Sequence, residues 1–179
     1  MRAAKSILAT LVLVASAAFA QNNSELAQMF AADQAARRSP NIDWEDVRKE
    51  DAERRSAVMS ILTTGGIQTA LDYYNAAMIF QHGDSAEEIR LAHAFATISA
   101  ALGGSSASNW LMAASWDRLM LQFEQPQWYG TQYVRDNSGK WVLYEVDPDA
   151  VTDEQRAERS VPSLQESRER AELMNGSSR

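Results

Sequence analysis

The chain contains no cysteine, which excludes thiol nucleophiles, iron–sulfur clusters, thiolate zinc sites and disulfides. Histidine is nearly as scarce: His82 and His93 are the only two, and their spacing of eleven residues makes no transition-metal site without acidic partners from elsewhere. The chain also lacks Gly-x-Ser-x-Gly, His-Glu-x-x-His and Gly-x-x-x-x-Gly-Lys, so the nucleophile elbow, the paired-histidine zinc helix and the phosphate loop are set aside. Gly103-Gly104-Ser105 falls short of a dinucleotide-binding loop. Asp147, Asp149 and Asp153 lack the glycine and closing glutamate of a calcium loop. Neither a cofactor nor a metal is implied.

Long apolar runs are also missing. The single candidate, Ile7 to Val14, follows Arg2 and Lys5 and leads to Ala18-Phe19-Ala20. It is well short of the roughly 20 residues that span a bilayer, and it has the layout of a signal peptide cut after Ala20. The expectation is a periplasmic or secreted protein with no membrane insertion after cleavage. Removing residues 1–20 takes two of the 17 basic residues and none of the 24 acidic ones, leaving a net charge of −9. Such an excess of acid disfavours nucleic acid and anionic membranes as partners. Only Lys49 and Lys140 remain as lysines, so the other cations are arginines, which suit bidentate pairing with carboxylates.

What is present is helical periodicity. A first helix is predicted over residues 24–38, with Leu26, Met29, Phe30 and Gln34 on one side and Pro40 beyond it. A second starts after the N-cap Asp43 and ends at Gly65-Gly66, and its charged middle, residues 48–55, reads as a solvated face laced by i,i+4 pairs. The third, over residues 69–82, carries the stripe Leu71, Tyr74 and Met78, which continues onto Gln81 and His82. Gly83 then stops it, and Ser85-Ala86-Glu87-Glu88 has the form of a capping box. No formally charged residue occurs from Leu91 to Trp110, which predicts a fourth helix buried on most sides. In the fifth helix, residues 108–123, the charges are Asp117 and Arg118 alone.

Residues 129–134 and 140–146 alternate around Asp136-Asn137-Ser138-Gly139, as a β-hairpin does. Thr152-Asp153-Glu154-Gln155 forms another capping box, Pro162 precedes a last helix over residues 163–174, and residues 175–179 read as a frayed tail. With no repeat and no low-complexity block, residues 21–174 are expected to form one mainly α domain, its hairpin region (127–146) packed on the helices.

The candidate site follows from the polar residues that this pattern places near aromatics. Gln127-Trp128-Tyr129-Gly130-Thr131-Gln132 combines amides, a hydroxyl and aromatic rings, the mixture a small-ligand pocket needs. His82 lies at a helix end between Gln81 and Asp84, both able to orient it, whereas His93, in an apolar run, reads as a neutral core histidine bonded to backbone. Asp117 and Arg118 point about 100° apart on a helix, so each needs its own partner or a wet cavity. The candidates are therefore His82, Arg118 and Asp117 as catalytic residues and Gln81, Gln127, Tyr129, Thr131 and Gln132 as ligand-binding residues.

Gln81-His82, Asp117-Arg118 and Gln-x-Tyr-Gly-Thr-Gln from Gln127, followed by a Trp-bearing strand and Asp153-x-x-Arg156, resemble an uncharacterised bacterial family defined as a domain of unknown function. The resemblance covers residues 33–156 and implies that these residues belong together; it implies no activity.

Three functions fit. In the first, His82 is the general acid or base of an enzyme and Arg118 binds the anionic or carbonyl group of a polar small molecule or peptide. In the second, Trp128, Tyr129 and Trp141 with the amides form a non-catalytic module for a saccharide or peptide. In the third, the polar set is a buried network that fixes the hairpin to the helices.

Overall fold

The computed structural model describes residues 20–176; the leader expected up to Ala20 and the last three residues of the expected tail lie outside them, Ala20 excepted. Five helices come first: α1 (Ser24–Ala36), α2 (Trp44–Thr63), α3 (Ala70–Gln81), α4 (Ala86–Ala101) and α5 (Ser106–Gln122). Strands β1 (Tyr133–Arg135) and β2 (Trp141–Leu143) follow, then α6 (Asp153–Glu158) and α7 (Leu164–Gly176). The class is mainly α with one two-stranded antiparallel sheet, as the periodicity predicts.

Side chains set where most of these helices begin. Asn23, Asp43, Thr69, Ser85 and Thr152 each accept a backbone N–H of the first turn, and the last three form capping boxes with Asp72, Glu88 and Gln155. Asp72 also accepts the Asn23 N–H at 2.7 Å, which ties the start of α1 to the start of α3. Helices α3, α4 and α5 pack side by side, with α1 against α3. Small residues permit the close approach: Ala76, Ala77, Ala92, Ala96, Ala113 and Ala114 are all fully buried, with Phe80, Phe95 and Leu111 filling the space between.

Two expectations for the helices change. α4 is not enclosed on most sides: Ile89, Ala92, Phe95, Ala96 and Ser99 face inward, whereas Ala94, Thr97, Ile98, Ala101 and Leu102 are exposed. The uncharged stretch therefore includes an exposed face, with Ile98 and Leu102 at the surface. The charged run of α2 is a solvated face only in part: Arg48, Lys49, Glu50 and Glu53 are exposed, whereas Asp51, Arg54 and Arg55 are buried. Arg54 pairs along the helix with Glu50 and Asp51, but Asp51 also reaches Arg37 at the end of α1, and Arg55 reaches Glu88 of α4 at 2.7 Å. The run joins helices.

The sheet register pairs Tyr133 with Leu143, Val134 with Val142 and Arg135 with Trp141. Its turn is held by Asp136, whose Oδ1 accepts from the Ser138 and Lys140 amides, and Gly139 supplies the left-handed residue at φ +80°. Both strands are shorter than expected. Residues 129–132 form a loop instead, since the Tyr129 and Thr131 N–H groups bond Asp117 of α5 and that of Gln132 bonds the Gln127 side chain. β2 packs on α7, where Asn175 accepts the Trp141 N–H and donates to the Trp141 carbonyl, both at 2.8 Å. Asn175, expected in the frayed tail, thus closes the last helix onto the sheet.

Candidate functional site

His82 is the C-cap of α3, and the chain turns sharply after it. A Cβ at Gly83 would lie 2.5 Å from the Glu88 Cβ, so only glycine lets the loop pass under the first turn of α4. Glu88 secures that loop. Its Oε2 accepts the amides of Asp84 and Ser85 at 2.8 and 3.1 Å, and its Oε1 accepts Arg55 Nε. Burial pushes the Glu88 carboxyl up, but the two amides and the Arg55 charge outweigh burial and hold it below the usual range.

The imidazole is oriented by a residue 49 positions earlier in the chain. Asp33 lies on α1 seven residues after Leu26, both fully buried. Its Oδ1 is 3.0 Å from His82 Nδ1 and accepts Arg37 Nη1 at 2.9 Å, while its Oδ2 accepts Gln34 Nε2 at 2.8 Å. Burial raises the Asp33 pKa, but the hydrogen bond and charge of His82, then Arg37 and Gln34, lower it by more, leaving the carboxyl below its ordinary value. A carboxylate accepts, so the proton sits on Nδ1 and Nε2 is the ring nitrogen left for chemistry. Arg37 continues the chain of charge to Asp51, and Asp51 continues it to Arg54.

Beside this pair lies a cavity of about 320 Å³ lined by Arg37, Trp44, Val47, Arg48, Asp51, His82, Asp84 and Arg118. Arg37 is balanced by Asp33 and Asp51. Arg118 has no such contact: it makes no ion pair or hydrogen bond among the described residues, and its Nε is buried without an acceptor. Burial pulls the Arg118 guanidinium below its usual pKa, with Asp84 pulling it up and Arg37 adding to the fall. A guanidinium in a protein nevertheless stays charged. The cavity therefore holds a guanidinium that no carboxylate contacts, with Asp84 as its facing counter-charge, next to a carboxylate-oriented imidazole.

Asp117, one residue away, serves a different structure. It is fully buried, and its oxygens accept the amides of Trp128, Tyr129 and Thr131 at 2.9 to 3.0 Å and the Thr131 hydroxyl at 2.8 Å. From the opposite side Arg156 donates to the carbonyls of Trp128 and Tyr129, at 2.8 and 3.1 Å. Gln127 closes the loop by accepting the Gln132 N–H and donating to the carbonyls of Gln132 and Tyr144. Burial pushes the Asp117 carboxyl up despite the four donors that pull it down.

The structure thus divides the residues singled out from the sequence. His82 and Arg118 share the charged cavity. Asp117, Gln127 and Thr131, expected at the ligand, bond within the protein, where one carboxylate and one amide fix the loop of residues 127–132. Gln132 does likewise, donating to the Ala114 carbonyl at 3.2 Å and to Thr131 Oγ1. Gln81 is buried at the same carbonyl and does not orient His82; Asp33 does. Tyr129 stands apart from His82 in a separate cavity. Sequence reasoning missed Asp33, Arg37, Trp44 and Asp51. A signal existed for Asp33: the seven-residue step from Leu26 places an acid on the inward face of α1.

Comparison with protein-family models, with curated proteins and with solved structures returns no match, so the geometry alone carries the functional reading.

Proposed function

We propose that the chain is an enzyme in which His82 is the general acid–base and Arg118 binds the anionic or carbonyl group of a small polar substrate. The observation that carries this reading is the unpaired Arg118 guanidinium in the same cavity as an imidazole held by Asp33. Arg118 is partly buried, its Nε has no acceptor and Asp84 acts on it without contact, so a negatively charged or polarised ligand group is the contact partner it lacks. With Nδ1 bonded to Asp33, His82 takes a proton on Nε2, and the carboxylate stabilises the resulting imidazolium.

No serine, threonine or cysteine lines this cavity. The fitting reactions are those in which Nε2 removes a proton from water or from a carbon next to a carbonyl, while Arg118 stabilises the oxyanion that develops. That is hydrolysis through activated water, or isomerisation. The volume suits a small molecule or the end of a peptide. The leader-like residues 1–20 support export, so the substrate would be met in the periplasm or the medium. Among the described residues no helix is long and apolar enough to cross a membrane.

The test is turnover of a panel of small carboxylate esters, amides and keto or hydroxy acids, run in parallel with His82→Gln. The expected result is an activity that falls on the order of 10² to 10⁴-fold in the variant while its unfolding transition persists. An activity that His82→Gln leaves intact overturns the assignment.

A further inference from the structure

A second cavity, of about 300 Å³, lies where α4 and α5 meet the loop of residues 127–132, and it shares no lining residue with the first. Its walls include His93, Trp116, Trp128, Tyr129 and Arg159. The rings form a continuous set: His93 and Trp116 centroids are 5.4 Å apart, and those of Trp116 and Trp128 are 4.8 Å apart. The backbone that carries Trp128 and Tyr129 is fixed, and so is the His93 ring. Asp117 holds the amides of Trp128 and Tyr129, Arg156 holds their carbonyls, and His93 Nδ1 donates to the Met112 carbonyl at 3.0 Å. A rigid aromatic surface binds a ring without the ordering cost that a mobile one would carry.

Two polar groups of its lining have no partner. Among the described residues the Arg159 side chain makes no ion pair or hydrogen bond, and the Trp116 Nε1 is buried without an acceptor. With Nδ1 committed to Met112, His93 keeps an unbonded Nε2. Burial pushes the His93 pKa down, more than the Met112 carbonyl raises it, so the ring is neutral near pH 7 and Nε2 is an acceptor. Aromatic walls, one free guanidinium and one free acceptor describe a ligand with a ring, a negative group and a hydroxyl or N–H.

We propose that this cavity is a second ligand site that takes a compact ring-bearing carboxylate, the ring against Trp116, Trp128 and Tyr129 and the carboxylate on Arg159. Aromatic acids and sugar acids share that chemistry. The clamp formed by Asp117 and Arg156 then has a role beyond stability, since it shapes the wall on which the ring rests.

The five tryptophans make the test direct, because each indole N–H gives its own NMR signal, assignable by Trp→Phe substitution. The protein is titrated with benzoate and with glucuronate, and with benzyl alcohol and glucose as their uncharged counterparts. The expected result is a saturable shift of the Trp116 and Trp128 signals with at least one acid, and none of Trp44, which lines the first cavity. Which acid binds tells an aromatic from a sugar ligand. Affinity should fall about tenfold or more for the uncharged counterpart and in Arg159→Gln, as loss of a charge-assisted hydrogen bond does, and recover in part in Arg159→Lys. No saturable shift with either acid overturns the proposal. So does equal binding of the uncharged counterparts, or affinity that Arg159→Gln leaves unchanged.

Discussion

Asp33 and His82 are 49 residues apart in sequence, and the Asp33 Oδ1 lies 3.0 Å from the His82 Nδ1. The contact joins the last turn of α1 to the C-cap of α3 and fixes which ring nitrogen is free. Asp33→Asn keeps the shape but removes the charge and most of the preference for a proton on Nδ1. The expected outcome is a His82 ring whose ¹⁵N shifts report a tautomer mixture, with activity lower on the order of 10³-fold. Unchanged nitrogen shifts would mean that Asp33 does not orient the ring.

Acid should weaken the fold in a way that Asp33 controls. The folded pKa values of Asp33 and Glu88 lie below their ordinary values, so the stability they contribute is fully present above the unfolded value, about 4, and is lost as pH falls through the folded values. Asp117, whose folded pKa is raised, acts with the opposite sign: its contribution is present below the unfolded value and lost as pH rises through the folded one. Urea unfolding of the wild type and of Asp33→Asn, compared from about pH 5 downward, should give a shallower decline in the variant. Parallel declines would show that another group governs the acid limb.

Removing the Asp117 carboxylate strips four donors of their acceptor at once. Asp117→Ala should cost about 3–5 kcal/mol, the range for breaking one side of a buried charged network. Amide hydrogen exchange at Trp128, Tyr129 and Thr131 should accelerate more than exchange in α3. A loss below about 1 kcal/mol, on the scale of a single ordinary hydrogen bond, would mean that Arg156 and Gln127 hold the loop without it.

Gly83→Ala forces its new Cβ against the Glu88 Cβ, at 2.5 Å on the present backbone. The strain should cost about 1–3 kcal/mol. Because Glu88 carries the amides of Asp84 and Ser85, the same substitution should displace His82 and reduce turnover beyond what the lost stability explains. Circular dichroism melts alongside activity separate the two effects.

The elements that were legible in the sequence were those fixed by local chemistry. Asp43, Ser85 and Thr152 announce helix starts because a cap needs only nearby residues, and Asp136 to Gly139 announces a turn for the same reason. His82 and Arg118 stood out as polar groups on otherwise apolar faces. The Asp33 contact was hidden because it is made across 49 residues, and Arg37 and Asp51 were masked within ordinary-looking charge. Residues 129–132 alternate like a strand, yet Asp117 competes for their amides and wins, a tertiary effect that no period reveals.

Arg118 offers the most direct test, because a cation held for a ligand and a cation held for the fold respond oppositely to removal. Urea unfolding of Arg118→Met, a change that keeps the length of the side chain and removes its charge, should show stability equal to the wild type or greater by up to about 2 kcal/mol. A loss of several kcal/mol would show that Arg118 is scaffolding and not the ligand-binding cation of the cavity beside His82.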